Sequence, residues 1–184
     1  MFEDFLAFFR VNKTVERTND AYENFVEQLG GQQFGEGLFT SFSAEQIELW
    51  TQIVESAYPG LTGKLKLFGH DWLGRCFAVD VRDTRNGQVL MLEIGTGMAL
   101  EIPCTLEEFL DEEIILNTDA CLAKSFYDEW LARGNAPLKH GNCVGYKVPL
   151  FLGGEDTCDN LENSDMEVYW SIITQVKSRL NFHA

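Results

Sequence analysis

The chain predicts an α+β fold, an antiparallel meander sheet of about five strands packed with four to five helices. Three observations carry this. Apolar residues recur at helical spacing near both ends, the period changes to strict alternation after about residue 64, and glycine-marked turns divide the alternating region into short strands.

Residues 1–30 read as one helical segment. Phe2, Phe5, Leu6 and Phe9 fall at i, i+3, i+4 and i+7, and Val15, Thr18, Tyr22, Phe25, Val26 and Leu29 continue the stripe up to Gly30-Gly31. A short strand is expected within Gly37–Phe42. Ser43-Ala-Glu-Gln46 is a capping box, in which the Gln side chain reaches back to the first N–H, and it opens a helix with Ile47, Trp50, Ile53, Val54 and Ala57 inward. Pro59-Gly60 stops that helix.

Leu65 and Leu67 then alternate with lysines. Phe77, Val79 and Val81 alternate with Asp80 and Arg82, the pattern of a strand buried on one face. Asn86-Gly87 suits a two-residue hairpin turn, Val89–Ile94 returns, Gly95-Thr-Gly97 turns again, and Ala99–Ile102 goes back. Thr105-Leu-Glu-Glu108 is a second capping box before a short acidic helix. Another helix runs from about Asp119 to Gly134, with Leu122, Phe126 and Trp130 inward. Tyr146–Leu152 reads as a last strand, Glu155–Glu162 as an acidic loop, and Ser164-Asp-Met-Glu167 as the cap of a final helix.

A chain of 184 residues is long enough to bury a core as one domain, 1–184. Apolar residues make up 45%, which excludes disorder as its ground state. No apolar run reaches the roughly 20 residues that span a bilayer. Met1-Phe-Glu-Asp-Phe5 is acidic where a secretory signal is basic, so a cytoplasmic protein is expected.

Fourteen Lys and Arg against twenty-nine Asp and Glu give a net charge of −15. Such a surface repels nucleic acid and anionic membrane, and it suits a protein that covers a basic partner. The acid is clustered. Eight acidic residues and no Lys or Arg lie between Arg85 and Lys124, and six more lie between Lys147 and Lys177.

Catalytic and metal signatures are weak. Gly95-Thr-Gly97 lacks the Gly-Lys-Ser/Thr of a phosphate loop and stands between strands. Asp156, Asp159, Glu162 and Asp165 do not follow the ligand spacing of a calcium loop. The five cysteines (76, 104, 121, 143 and 158) include no CxxC, so we expect reduced thiols and neither metal nor cofactor. A small hydrolase built on His70, Asp71 or Cys143, with His140 beside the thiol, is the enzymatic alternative. No nucleophile–base–oxyanion set supports it, so no catalytic residue is assigned. Trp72, between Asp71 and Leu73-Gly74, is expected at a partly exposed sheet edge, where an aromatic can anchor a partner.

Asp71-Trp-Leu-Gly-Arg75, Val89-Leu-Met-Leu-Glu-Ile-Gly-Thr-Gly97, Glu101-Ile-Pro103 and Val144-Gly-Tyr-Lys-Val-Pro-Leu-Phe-Leu-Gly-Gly-Glu-Asp156, followed by Asn160-Leu-Glu162 and Asp165, resemble the type VI secretion immunity-protein family. Gly35-Glu-Gly-Leu-Phe39 is similar to the front of GAD-like and Smi/Knr-type immunity proteins. The resemblance spans about residues 22–180 and implies an immunity-type core over 60–180. It implies a non-enzymatic protein that binds and neutralises a secreted toxin, a DNase in the best-known case. The alternative is a regulatory or scaffold protein of the same fold. Asp71, Trp72, Glu155, Asp156, Asp159 and Glu162 are the expected partner-binding residues.

Overall fold

The computed structural model describes residues 1–82 and 87–180. Six strands form one antiparallel sheet whose spatial order is the chain order: β1 (Gln33–Phe34), β2 (Phe39–Ser41), β3 (Leu65–Asp71), β4 (Cys76–Asp80), β5 (Gln88–Glu93) and β6 (Met98–Thr105). A second, two-stranded sheet pairs β7 (Asn142–Tyr146) with β8 (Leu161–Asp165). The α+β meander is as expected. The Asn86-Gly87 turn lies partly outside the described residues, whereas Gly95–Gly97 is a turn between β5 and β6, closed by Gly97 N–H on the Glu93 carbonyl at 2.8 Å.

Both faces of the sheet are covered. On one side Phe77, Val79, Val89 and Met91 pack with Phe2, Phe5, Phe25 and Phe109. On the other, Leu67, Cys76, Ala78, Leu90 and Leu92 pack with Trp50, Val54, Trp170 and Ile173 from α3 (Ala44–Ala57) and α8 (Met166–Arg179). Every residue of β4 is therefore buried, including Asp80, which corrects the one-faced strand expected there. Asp80 is tolerated inside because the Arg82 guanidinium binds its carboxylate, with Nε 2.9 Å from Oδ2.

The expected single N-terminal helix is two: α1 (Glu3–Phe8) and α2 (Ala21–Leu29). Asp20 starts the second, its carboxylate accepting from the N–H groups of Tyr22 and Glu23 at 2.9 and 3.1 Å. The apolar period runs through both helices because the linking segment still buries Val15 and is tied down through Asn24, whose amide donates to the Glu16 carbonyl at 2.7 Å. The α1 N-terminus has no cap of its own. Asp111 supplies one from across the fold, accepting from the N–H groups of Phe2 and Phe5 at 3.1 Å each.

Three further expectations shift. The helix from Asp119 is broken at Ala123 (φ 48°) into α6 (Thr118–Leu122) and α7 (Lys124–Ala132), after α4 (Leu106–Glu108), a π-helical turn (Phe109–Glu113) and α5 (Ile114–Leu116). The strand expected over Tyr146–Leu152 is instead β7, which ends at Tyr146. Pro149 follows, with no N–H to donate, and residues 150–152 form a tight 3₁₀ turn. The acidic segment read as loop instead ends in β8, a polar edge strand, and α8 is capped by Asp165, not Ser164, its carboxylate accepting from the Val168 N–H at 3.0 Å.

Candidate functional site

The family-like segments come together, but mostly inside the molecule. Asp71 closes the β3–β4 turn with its own side chain. One oxygen accepts from the N–H groups of Leu73 (3.1 Å) and Arg75 (2.9 Å), and the other from Arg75 Nε at 2.6 Å. Arg75 reaches on to the Cys121 carbonyl, and the Trp72 indole donates to the Leu122 carbonyl. Gly74, at φ 74°, presents its carbonyl to the Trp170 indole at 2.9 Å. A Cβ there would sit 3.1 Å from the Cys143 side chain. Asp71-Trp-Leu-Gly-Arg75 is thus the joint where sheet, α6 and α8 meet.

Trp72 is fully buried, against Phe126 and Tyr127, not at an exposed sheet edge. The correction has a direct cause, since α6 and α7 cover the turn that the local sequence leaves open. Asp71 is equally inaccessible, so neither residue offers a partner any surface on the folded chain. Burial pushes the Asp71 carboxyl up to about 6, against the pull of Arg75.

His70 lies beside it, its Nδ1 3.0 Å from the Asp71 carbonyl, and burial lowers its pKa to about 4. Because the folded value lies below the ordinary 6.5, the fold binds the neutral ring. His70's contribution is complete above pH 6.5 and is lost as pH falls through 4. Asp71, raised, acts with the opposite sign over nearly the same interval. A variant without the imidazole therefore isolates the histidine's share. His70→Gln is expected to gain stability relative to wild type between pH 6.5 and 4, by up to about 3 kcal/mol. Urea midpoints for both proteins at pH 7 and pH 4.5 test this, and a constant difference would refute it.

The remaining four predicted residues lie on the segment between β7 and β8 and at the start of β8. The segment's shape is fixed by Asn160, whose amide donates to the Val148 and Glu155 carbonyls at 2.8 and 2.9 Å while its oxygen accepts from the Val148 N–H at 3.0 Å. A Cβ on Gly154 would collide with the Val148 carbonyl, so only glycine allows the two limbs to approach. Glu155, Asp156, Asp159 and Glu162 are exposed. Asp156 accepts from the Tyr146 hydroxyl at 2.7 Å, and Asp159 pairs with Arg133 at 2.5 Å.

Two apolar side chains escaped the sequence reading. Val148 and Leu152 are 46% and 47% exposed on the same segment. They stand at alternate positions of the segment read as a strand, which Pro149 breaks, so the side chains expected on a buried face are left in solvent. An ordered loop with exposed aliphatic side chains among carboxylates has the composition of an interface with an apolar centre and a charged rim.

The catalytic candidates do not assemble. Cys143 is buried and its thiol is pushed well up by burial, whereas His140 is exposed. Burial likewise raises Cys76 and Cys121. No group of three metal-binding side chains occurs among the described residues, and no described helix is long and apolar enough to cross a membrane.

Comparison with known proteins agrees with this architecture. The crystal structure of Atu4351 from Agrobacterium tumefaciens superposes with a TM-score of 0.65 at 19% identity, covering 95% of this chain and 89% of that one, and so shares its fold. No curated protein matches in sequence. The family model described as T6SS immunity protein Tdi1, C-terminal, matches residues 106–177, from the Thr105-capped helix into the last turn of α8. The match leaves the Asp71–Arg75 joint outside and takes in the whole of the β7–β8 surface. Over residues 106–177 the chain is therefore similar to the type VI secretion immunity proteins that its sequence resembles.

Proposed function

We propose that this chain is a cytoplasmic immunity-type protein that binds and neutralises a secreted toxin, and that it acts by occupancy, not turnover. The family match over residues 106–177 carries the reading. The net charge of −15 favours a basic partner surface, such as the substrate groove of a nuclease, because opposite fields speed encounter and sharpen specificity. Four of the five thiols, Cys76, Cys121, Cys143 and Cys158, are buried, which shields them from a substrate.

The β7–β8 surface is the proposed contact, with Val148 and Leu152 central and Glu155, Asp156, Asp159 and Glu162 around them. A stable inhibitor complex buries about 1,600 Å² in total, so this surface would form one part of a larger contact. The first experiment is affinity capture of the tagged protein from its own cell, expected to yield one basic, toxin-like chain at near-equal amount. Against that chain, Glu155→Lys with Glu162→Lys should weaken binding at least tenfold, about 1.4 kcal/mol, and most strongly at low salt. Circular dichroism should be unchanged. Unaltered affinity would remove this surface from the interface, and capture of housekeeping proteins alone would favour a scaffold role.

A further inference from the structure

A second groove lies elsewhere, between α3 and α8, with a volume of about 620 Å³. Its walls are two apolar pairs, each one helical turn apart: Leu49 with Ile53 on α3, and Val168 with Ile172 on α8. Ile53 is half-buried and also packs against the core, whereas Leu49, Val168 and Ile172 are off the inward stripes, which use Trp50, Val54, Trp170 and Ile173. Leu49, Val168 and Ile172 are 44%, 54% and 53% exposed. At the floor, the Thr174 hydroxyl is buried and has no hydrogen-bond partner in the protein.

Glu167 lines the groove, and the charges flanking it are acidic apart from Arg179 in the last turn of α8. α3 carries Glu45, Glu48 and Glu55 and neither Lys nor Arg, and α8 opens with Asp165 and Glu167. The one lysine of α8 is turned inward, its Nζ 3.3 Å from the carbonyls of Ala57 and Gly97 and 4.0 Å from the Tyr58 ring. A second copy of this chain would bring glutamates against glutamates. A helix with an apolar stripe and lysines or arginines along its edges matches both the two-turn trough and the acidic residues beside it.

We infer that the α3–α8 groove docks a basic amphipathic helix of a partner protein, distinct from the β7–β8 surface. The inference depends on the toxin reading only for which protein carries that helix.

Two experiments test it. The first uses a fluorescein-labelled synthetic peptide of about four helical turns, with leucines at i, i+3, i+4 and i+7 and lysines at the flanks, and a copy with glutamates for lysines. The lysine peptide should bind, and the glutamate peptide should not. Leu49→Ser with Ile172→Ser leaves the charge unchanged and should weaken binding at least tenfold, while Leu49→Met with Ile172→Met should retain it. Glu155→Lys with Glu162→Lys should stay within about twofold, because those residues lie outside the groove. No binding of the lysine peptide, or equal losses in the serine and lysine variants, overturns the inference in favour of unspecific charge attraction.

The second places benzoylphenylalanine at position 172, and separately at 152, in the native cell. A cross-link from 172 to a basic helical segment supports the inference. If that segment belongs to a protein that is no toxin, the groove stands and the proposed function fails. A cross-link from 152 alone to a toxin overturns the groove and leaves the function standing. A cross-link from 172 to another copy of this chain, or to a segment without basic residues, overturns it.

Discussion

Asp71→Ala is expected to destabilise the fold by about 3–5 kcal/mol, the range seen when one member of a buried ion pair is removed. The substitution strands the Arg75 guanidinium in an interior where it has only the Cys121 carbonyl left. It also frees the N–H groups of Leu73 and Arg75 that shape the β3–β4 turn. Because that turn carries Trp72 and Gly74, loss should spread to the contacts with Leu122 and Trp170. Chemical denaturation measures the loss directly, and thermal melting should fall by roughly 2–4 °C for each kcal/mol in a chain of this size. Adding Arg75→Met should recover part of it by removing the unpaired charge. A loss under about 1 kcal/mol would mean that the pair is incidental to the fold.

Trp170→Ala is expected to cost about 3–5 kcal/mol as well, by a different route. The ring is fully buried, meets Trp50 edge-on with centroids 6.2 Å apart, and lies against Tyr58 at 6.3 Å. Truncation leaves a cavity between α8, α3 and the sheet and an orphaned Gly74 carbonyl. Trp170→Phe should cost less, because it keeps most of the apolar volume and loses mainly the indole hydrogen bond. Equal costs for the two variants would place the effect in the hydrogen bond, not in packing.

Local chemistry made the meander legible. Alternation marks β3 and β4, Gly95–Gly97 marks a turn, and Ser43 and Thr105 mark helix starts where Gln46 and Glu108 bond back to the first N–H at 2.9 and 2.8 Å. What could not be read depends on distant partners. Trp72 looks exposed because its cover, Phe126 and Tyr127, arrives some fifty residues later. The α1–α2 break is hidden because the stripe continues through a non-helical segment held by Asn24. The polar Leu161–Asp165 became a strand only because β7 offers it an edge, with Cys143 opposite Ser164. The acidic residues of the candidate surface could be located from the sequence. Its apolar centre and the α3–α8 groove could not, since both consist of side chains left uncovered by packing that periodicity does not encode.

The thiols give the molecule a record of its own motions. Cys76 and Cys143 lie beneath α3 and α8, and both are completely buried. Neither can meet a reagent in water until that helical layer lifts. Their alkylation rates therefore report how often the layer separates from the sheet, and the dependence of those rates on denaturant distinguishes a local opening from complete unfolding. A ligand seated across both helices would slow the two cysteines together, so the same labels would register occupancy of that face without any contact between label and ligand.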